Sequence, residues 1–201
     1  MSRFSSRHAV GVLVMAGSLG LLLVLTTAFT AIAQTDPAAE QDTFDRESIL
    51  NAATGFFGEG AAGLAGVIEK AFADNGRPNA YIIGNEGSAA LIVGLRYGDG
   101  TMMHKIEGER RIHWTGPSIG FDAGANLSKV FILVYNLYDT DEIFSRFPAV
   151  EGSFYYIGGV GLNYQQKGDM VLAPIRFGVG LRAGANLGYM KYSKKKKLIP
   201  F

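Results

Sequence analysis

The residues best suited to chemistry in this 201-residue chain are few, and their spacing speaks against most of the reactions they might serve. His104 and His113 lie near Asp99, Glu107 and Glu109, the raw material of a metal site or an acid–base pair. His104 and Glu107, however, are three residues apart, which places them on opposite faces of a strand, and no third ligand follows at useful spacing. Both histidines are predicted to sit at the solvent or at the edge of the core. Ser88, Ser118 and Ser153 have glycine neighbours, but none stands in the Gly-x-Ser-x-Gly elbow that precedes a helix in hydrolases. Gly58-Glu59-Gly60-Ala61-Ala62-Gly63 matches the dinucleotide fingerprint, yet no strand precedes it and no βαβ unit follows. Its small residues are predicted to let a helix sit close to a sheet. The sequence therefore predicts no catalytic residues, no cofactor and no metal site, and a protein that is not an enzyme.

Two groups remain that suit binding. Lys194, Lys195, Lys196 and Lys197, with Lys191 just before, form the one strong charge cluster, and an anionic surface attracts such a segment with about 1 kcal/mol per lysine. Phospholipid headgroups and lipopolysaccharide phosphates fit that chemistry, and so does a solvated tail that keeps the last strand soluble. Trp114, Tyr135, Tyr138, Phe144, Phe147 and Phe154-Tyr155-Tyr156 could line a pocket for an acyl chain or glycan. In a small barrel such rings fill the interior instead, because eight to ten strands enclose little more than side chains. The terminal Phe201 suggests an outer-membrane strand, but Pro200 and the lysines break the alternation that such a strand needs.

Around these residues stand elements of three textures. Residues 1–33 read as a secretory signal peptide: Arg3 and Arg7 lead, Ala9 to Ile32 carries no charge, and Ala31-Ile32-Ala33 supplies the small-x-small cleavage pattern before Gln34. The apolar run is long enough to serve as an uncleaved inner-membrane anchor, and the alternative stays open. Without this segment the chain loses two of its 19 Lys+Arg and none of its 18 Asp+Glu, a formal charge of −1, which gives no field for nucleic acid. The absence of cysteine excludes disulfides and thiolate sites. Residues 34–43 form a polar linker, and a single domain over 44–201 is large enough to bury a core.

Within that domain, Asp45 to Thr54 is predicted as a short helix broken at Gly55. A second helix, 61–74, is marked by Leu64, Val67, Ile68, Ala71 and Phe72 on one face and stopped by Gly76. From Asn79 on, runs of β-branched and aromatic residues separated by glycine predict about ten antiparallel strands: 79–84, 88–97, 101–106, 110–114, 117–125, 129–136, 152–158, 160–166, 169–182 and 185–193. Gly98-Asp99-Gly100 and Lys167-Gly168-Asp169 are predicted tight turns. Asp139 to Phe147 is a helical interruption with Thr140 as its cap and Pro148 as its stop. Ala-Gly-Ala-Asn-Leu occurs at 123–127 and 183–187, a shared turn or a short duplication. The fold class is mainly β with helices (α+β): a small closed antiparallel β-barrel of about ten strands with an N-terminal amphipathic helix packed on it.

Several ordered blocks also carry a family resemblance. They are Gly55-Phe56-Phe57-Gly58, Val67 to Phe72, Gly-Leu-Arg-Tyr-Gly-x-Gly-Thr at 94–101, Trp114-x-Gly116-Pro117-Ser118, Leu133 to Thr140, Gly158-Gly159-x-Gly161 and Ala173-Pro174-Ile175-Arg176. Together they resemble the envelope integrity protein A family over residues 44–201. The resemblance implies a periplasmic protein of Gram-negative bacteria that supports the cell envelope through a small β-barrel, with no catalytic residue to carry over. A fainter similarity to SYLF-type lipid-binding domains, over 134–136, 139–147 and 152–161, implies a lipid ligand. The expected function is non-enzymatic support of envelope integrity, with lipid or lipopolysaccharide as partner, and the alternative is a periplasmic lipid- or glycan-binding carrier.

Overall fold

The structure, a computed structural model, describes residues 41–58, 62–177 and 188–197, and only the backbone of 88–93 and 118–127. The expected signal peptide, most of the linker, the repeat at 183–187 and Phe201 lie outside the described residues.

Helix α1 runs from Arg46 to Phe57 and is started by Asp45, whose carboxylate accepts from Ser48 N at 2.8 Å and Ser48 Oγ at 2.7 Å. Gly55 does not break it, contrary to expectation. Burial of Ile49 and Ala53 and the packing of Phe57 on Phe177 (4.3 Å between rings) outweigh the roughly 1 kcal/mol that an interior glycine costs. Helix α2 spans Leu64–Asn75 and starts three residues later than predicted. Its buried face is Leu64, Val67, Ile68 and Ala71, with Phe72 partly buried, and Gly76 ends it at φ 75°.

Eight described strands form one antiparallel sheet: β1 Ala80–His104, β2 Gly108–Tyr135, β3 Arg146–Pro148, β4 Tyr155–Ile157, β5 Val160–Leu162, β6 Gln165–Lys167, β7 Met170–Phe177 and β8 Tyr189–Ser193. Six predicted strands merge into β1 and β2, which pair from Ala80↔Val134 to His104↔Gly108 with one irregularity between Ser88 and Ala90. Gly98-Asp99-Gly100 is therefore not a turn. These residues lie inside β1 opposite Trp114, His113 and Ile112. Glycine is needed there for close approach: a Cβ on Gly98 would lie 2.0 Å from Trp114 Cε2, and one on Gly100 would lie 2.3 Å from the Ile83 carbonyl. The reversal comes instead at Lys105-Ile106-Glu107. Lys167-Gly168-Asp169 does turn the chain between β6 and β7, with Gly168 at φ 58°.

The sheet curls until it meets itself. β2 pairs β8 at residues 113–115 and β7 at residues 130–135; β8 pairs β3; an Ala149↔Gln165 bridge joins the end of β3 to β6, which pairs β7. β1 also folds back on itself, so that Lys105 N donates to Asn79 O at 2.9 Å. Two long strands thus each supply two sides of the barrel, which is why eight strands do the work of the ten expected.

Alternation along β2 sorts the core. Val130, Ile132 and Val134 point inward to join Ile82, Met102, Trp114, Phe147, Met190 and Tyr192, while Phe131, Leu133 and Tyr135 point outward beneath α1 and α2 with Val160, Leu162 and Ile175. Each such buried side chain contributes about 1.5–3 kcal/mol. Between β2 and β3, a 3₁₀ turn at Thr140–Ile143 confirms the predicted interruption, but Asp139 caps it, accepting from Asp141 N at 2.8 Å. Thr140 is instead buried, its hydroxyl donating to Glu107 Oε2 at 2.5 Å.

Candidate functional site

The lysine cluster follows directly from β8, whose pairing with β2 and β3 fixes its start. Ser193 is buried, and its hydroxyl donates to Lys195 O at 2.8 Å, holding the first turn of the tail. The four lysines are all exposed but not equivalent. Lys194 Nζ donates to Asp141 Oδ2 at 2.9 Å and stands 5.1 Å over the Phe144 ring. Asp141 also takes Arg110 Nη1 at 2.5 Å, and the Lys194 bond, together with these two positive charges, holds its carboxyl below the ordinary range. Lys194 therefore ties the tail to the 3₁₀ turn, while Lys195, Lys196 and Lys197 extend past it.

Several of the candidate catalytic groups have structural partners, whereas His113 Nδ1 is buried without a hydrogen-bond partner among the described residues. His104 is buried; its Nδ1 accepts from Glu107 N at 3.1 Å and Ile106 N at 3.3 Å, which leaves the proton on Nε2 for Leu137 O at 2.9 Å. It fastens the β1–β2 turn. Asp99 is the register partner of His113, Glu107 is bonded to Thr140, and among the described residues no three ligating side chains converge on a metal position. Ser153 Oγ donates to Val150 O and accepts from Tyr164 N; the side chains of Ser88 and Ser118 lie outside the described residues. Gly63 fits the close-packing reading of the glycine motif, since a Cβ there would lie 1.7 Å from the Ile157 carbonyl of β4.

The aromatic residues divide in two. Trp114, Tyr135 and Phe147 are buried, and Tyr192 brings Trp114 and Phe147 together at 6.2 and 5.6 Å between ring centroids. Tyr155 is half-buried under the Lys70 ammonium (4.3 Å), and Phe144 packs beside the core. Phe154, Tyr156 and Tyr138 are exposed, with Phe154 and Tyr156 stacked at 6.5 Å.

Inside the barrel lies a polar cluster that sequence reasoning missed. Glu86 accepts from Trp114 Nε1 at 2.9 Å and from Arg176 Nε and Nη2 at 3.0 and 3.1 Å, and Arg96 Nε lies 3.3 Å away. Arg176 Nη1 in turn donates to Asn163 Oδ1 at 3.0 Å. Burial alone would raise the Glu86 pKa. The charges of Arg176 and Arg96, with the bonds from Arg176 and Trp114, outweigh it and hold it at about 2 against 4.5. Burial opposes the Arg176 charge likewise, and Glu86 more than restores it. A single charged residue closing each of two apolar runs, Tyr81-Ile82-Ile83-Gly84-Asn85-Glu86 and Val171 to Arg176, was the available signal. This arrangement fixes strands; no acid or base in it is poised near neutral pH.

The family of the chain is given by its similarity to other proteins. The sequence profile of envelope integrity protein A matches residues 42–201. The chain belongs to the envelope integrity protein A family. The crystal structure of a β-barrel-like, uncharacterized protein from Brucella abortus is similar to it, with a TM-score of 0.73 and 44% sequence identity, covering 80% of this chain and 99% of that one. Among curated proteins none matches. Family membership gives a role in envelope integrity, and the β-barrel-like neighbour agrees with the mainly β architecture. No helix among the described residues is long and apolar enough to cross a membrane.

Proposed function

We propose that this family member works in the periplasm, released by cleavage after Ala33, as a non-enzymatic and cofactor-free protein that supports the envelope by touching anionic lipid or lipopolysaccharide through its basic tail. The observation that carries the reading is the exposure of Lys195, Lys196 and Lys197 immediately beyond a strand anchored on two sides. Clustered cations on a firm base suit a surface rich in phosphate, and about 1 kcal/mol per lysine is enough for reversible contact. The carrier alternative has less support, because Trp114, Phe147, Tyr192 and the methionines 102, 170 and 190 crowd the inner face where an acyl chain would lie.

The test is a gene deletion challenged with detergent and cell-wall antibiotics, complemented by the natural chain or by K195Q/K196Q/K197Q. The natural chain is expected to restore resistance and the variant to restore it incompletely at equal protein level. Full rescue by the variant removes the tail from the function. Mass measurement of the periplasmic protein is expected to show a chain beginning at Gln34, and a mass retaining residues 1–33 would replace the soluble form with an anchored one.

A further inference from the structure

Exposed apolar side chains concentrate at one place in the fold. Among the described residues six large ones are exposed, and Val150, Phe154, Tyr156 and Ile157 fall in one stretch that leads into and forms β4. Glu151 is the only charge between residues 150 and 157, so this patch, unlike the tail, offers no field to phosphate. The two faces of the β4–β5 hairpin differ. Tyr155, Leu162 and Tyr164 pack toward the helices, with Lys70 of α2 over the Tyr155 ring. Phe154, Tyr156, Gly161 and Asn163 alternate with them and take the opposite face, which also carries Arg176. Phe154 and Tyr156 stack there, with 6.5 Å between ring centroids and 27° between planes. Tyr156 is opposite Gly161 and Gly161 opposite Arg176, so no side chain stands between the tyrosine and the arginine. One step on from the Tyr155↔Leu162 pair, Phe154 comes opposite Asn163, which puts their Cβ atoms about 5 Å apart. The strands stay together beyond that step, since Ser153 Oγ accepts from Tyr164 N at 3.0 Å. Asn163 is only 6% exposed. Its Oδ1 accepts from Arg176 Nη1 at 3.0 Å, which fixes the amide and turns Nδ2 away from β7, toward the β4 side. Nδ2 has no hydrogen-bond partner among the described residues, and a ligand that supplies an acceptor gains by it.

We infer that Phe154, Tyr156 and Asn163 form a binding site for an N-acetylated sugar unit of a glycan chain. The face of an aromatic ring is electron-rich, and a pyranose presents a flat set of weakly positive C–H groups, so the stacked pair makes a ledge on which a sugar ring lies. The acetamido carbonyl of that sugar is the acceptor that Asn163 Nδ2 lacks. Arg176 spends Nε and Nη2 on Glu86 and Nη1 on Asn163, so it acts as a positioning residue that holds the amide and does not touch the sugar. An uncharged patch suits an uncharged ligand. The ledge lies on the hairpin, apart from the inner face crowded by Trp114, Phe147 and Tyr192, and it grips a polymer from the surface where a carrier would enclose its cargo. This site is independent of the contact between the tail and lipid.

Titration of the exported protein with chitotetraose, a tetramer of N-acetylglucosamine, and with cellotetraose, the same backbone without acetamido groups, tests the site by calorimetry and saturation-transfer NMR. Natural protein is expected to bind chitotetraose with a Kd on the order of 1 mM, and cellotetraose about tenfold more weakly. F154A and Y156A are each expected to weaken chitotetraose binding about tenfold through loss of the ledge. N163D keeps an acceptor for Arg176 and loses the donor, and is expected to weaken it about fivefold. Y138A, which removes an exposed tyrosine elsewhere, is expected to leave it within about twofold. Y156F keeps the ring and is expected to keep binding within about twofold, and it serves as the control should the alanine variants fold poorly. If natural protein binds neither sugar, or if F154A and Y156A bind as tightly as the natural chain, the site is refuted and the tail reading is untouched. Equal binding of the two sugars by natural protein would overturn the pairing of Asn163 with an acetamido group.

Discussion

Glu86 and Arg176 meet inside the barrel although ninety residues separate them in sequence. Removing one partner of such a buried pair leaves the other charge stranded in a poor solvent, so Glu86→Gln is expected to destabilise the fold by about 3–5 kcal/mol in urea denaturation, and an unmoved midpoint would refute the assignment. The same carboxyl governs acid stability. Its folded pKa of about 2 lies below the ordinary 4.5, so its contribution is fully present above about pH 4.5 and is lost as the pH falls toward 2. That loss is on the order of 3 kcal/mol for this group, and a urea titration across the window should show it in the natural chain and not in Glu86→Gln. The histidine reading as a core-edge residue held for His104, because a lone histidine beside a turn finds backbone partners more readily than metal. Thr140 does not take the capping role expected of it, and Asp139 does: either can cap a turn, and Glu107 on the facing turn draws Thr140 inward.

Two glycines of similar sequence context behave oppositely once the elements are packed. Gly55 lies inside α1, and a Cβ there would meet nothing within 4 Å, so Gly55→Ala is expected to raise stability by about 0.5–1 kcal/mol through helix propensity. Gly63, at the start of α2, touches the Ile157 carbonyl, so Gly63→Ala must push the helix off β4 and is expected to cost about 3 kcal/mol. Thermal unfolding of both variants checks the pair, and equal shifts would contradict the helix-to-strand contact. The helix face was legible because its period of 3.6 is written in adjacent residues. The long strands were not. Glycines that look like turns along β1 are sites where Trp114 and the other half of β1 press against bare backbone, and no local pattern distinguishes turning from close approach.

At the scale of the whole molecule, β2 is the shared wall: one face closes the barrel interior and the other packs beneath both helices. Loss of either layer exposes one face of the same strand, so the domain is expected to unfold in one step, with Trp114 fluorescence and far-ultraviolet helix signal coinciding in denaturant. A helix transition preceding that of Trp114, the one tryptophan in the chain, would show that the layers are separable. The tail lies outside this unit, and neutralising Lys195 to Lys197 is expected to leave stability within about 0.5 kcal/mol while altering surface binding.

By itself the sequence determined the mainly β class, the apolar face of α2, the 3₁₀ interruption and the candidate lysines, because each is encoded in composition or in short-range periodicity. Tertiary structure alone decided that six apparent strands are two, that Glu86 is paired within the barrel, and that Lys194 is held by Asp141. The difference is one of range. Periodicity records what neighbouring residues prefer, whereas barrel closure and charge pairing depend on which distant segments share a wall, and that is set by how the whole sheet curls.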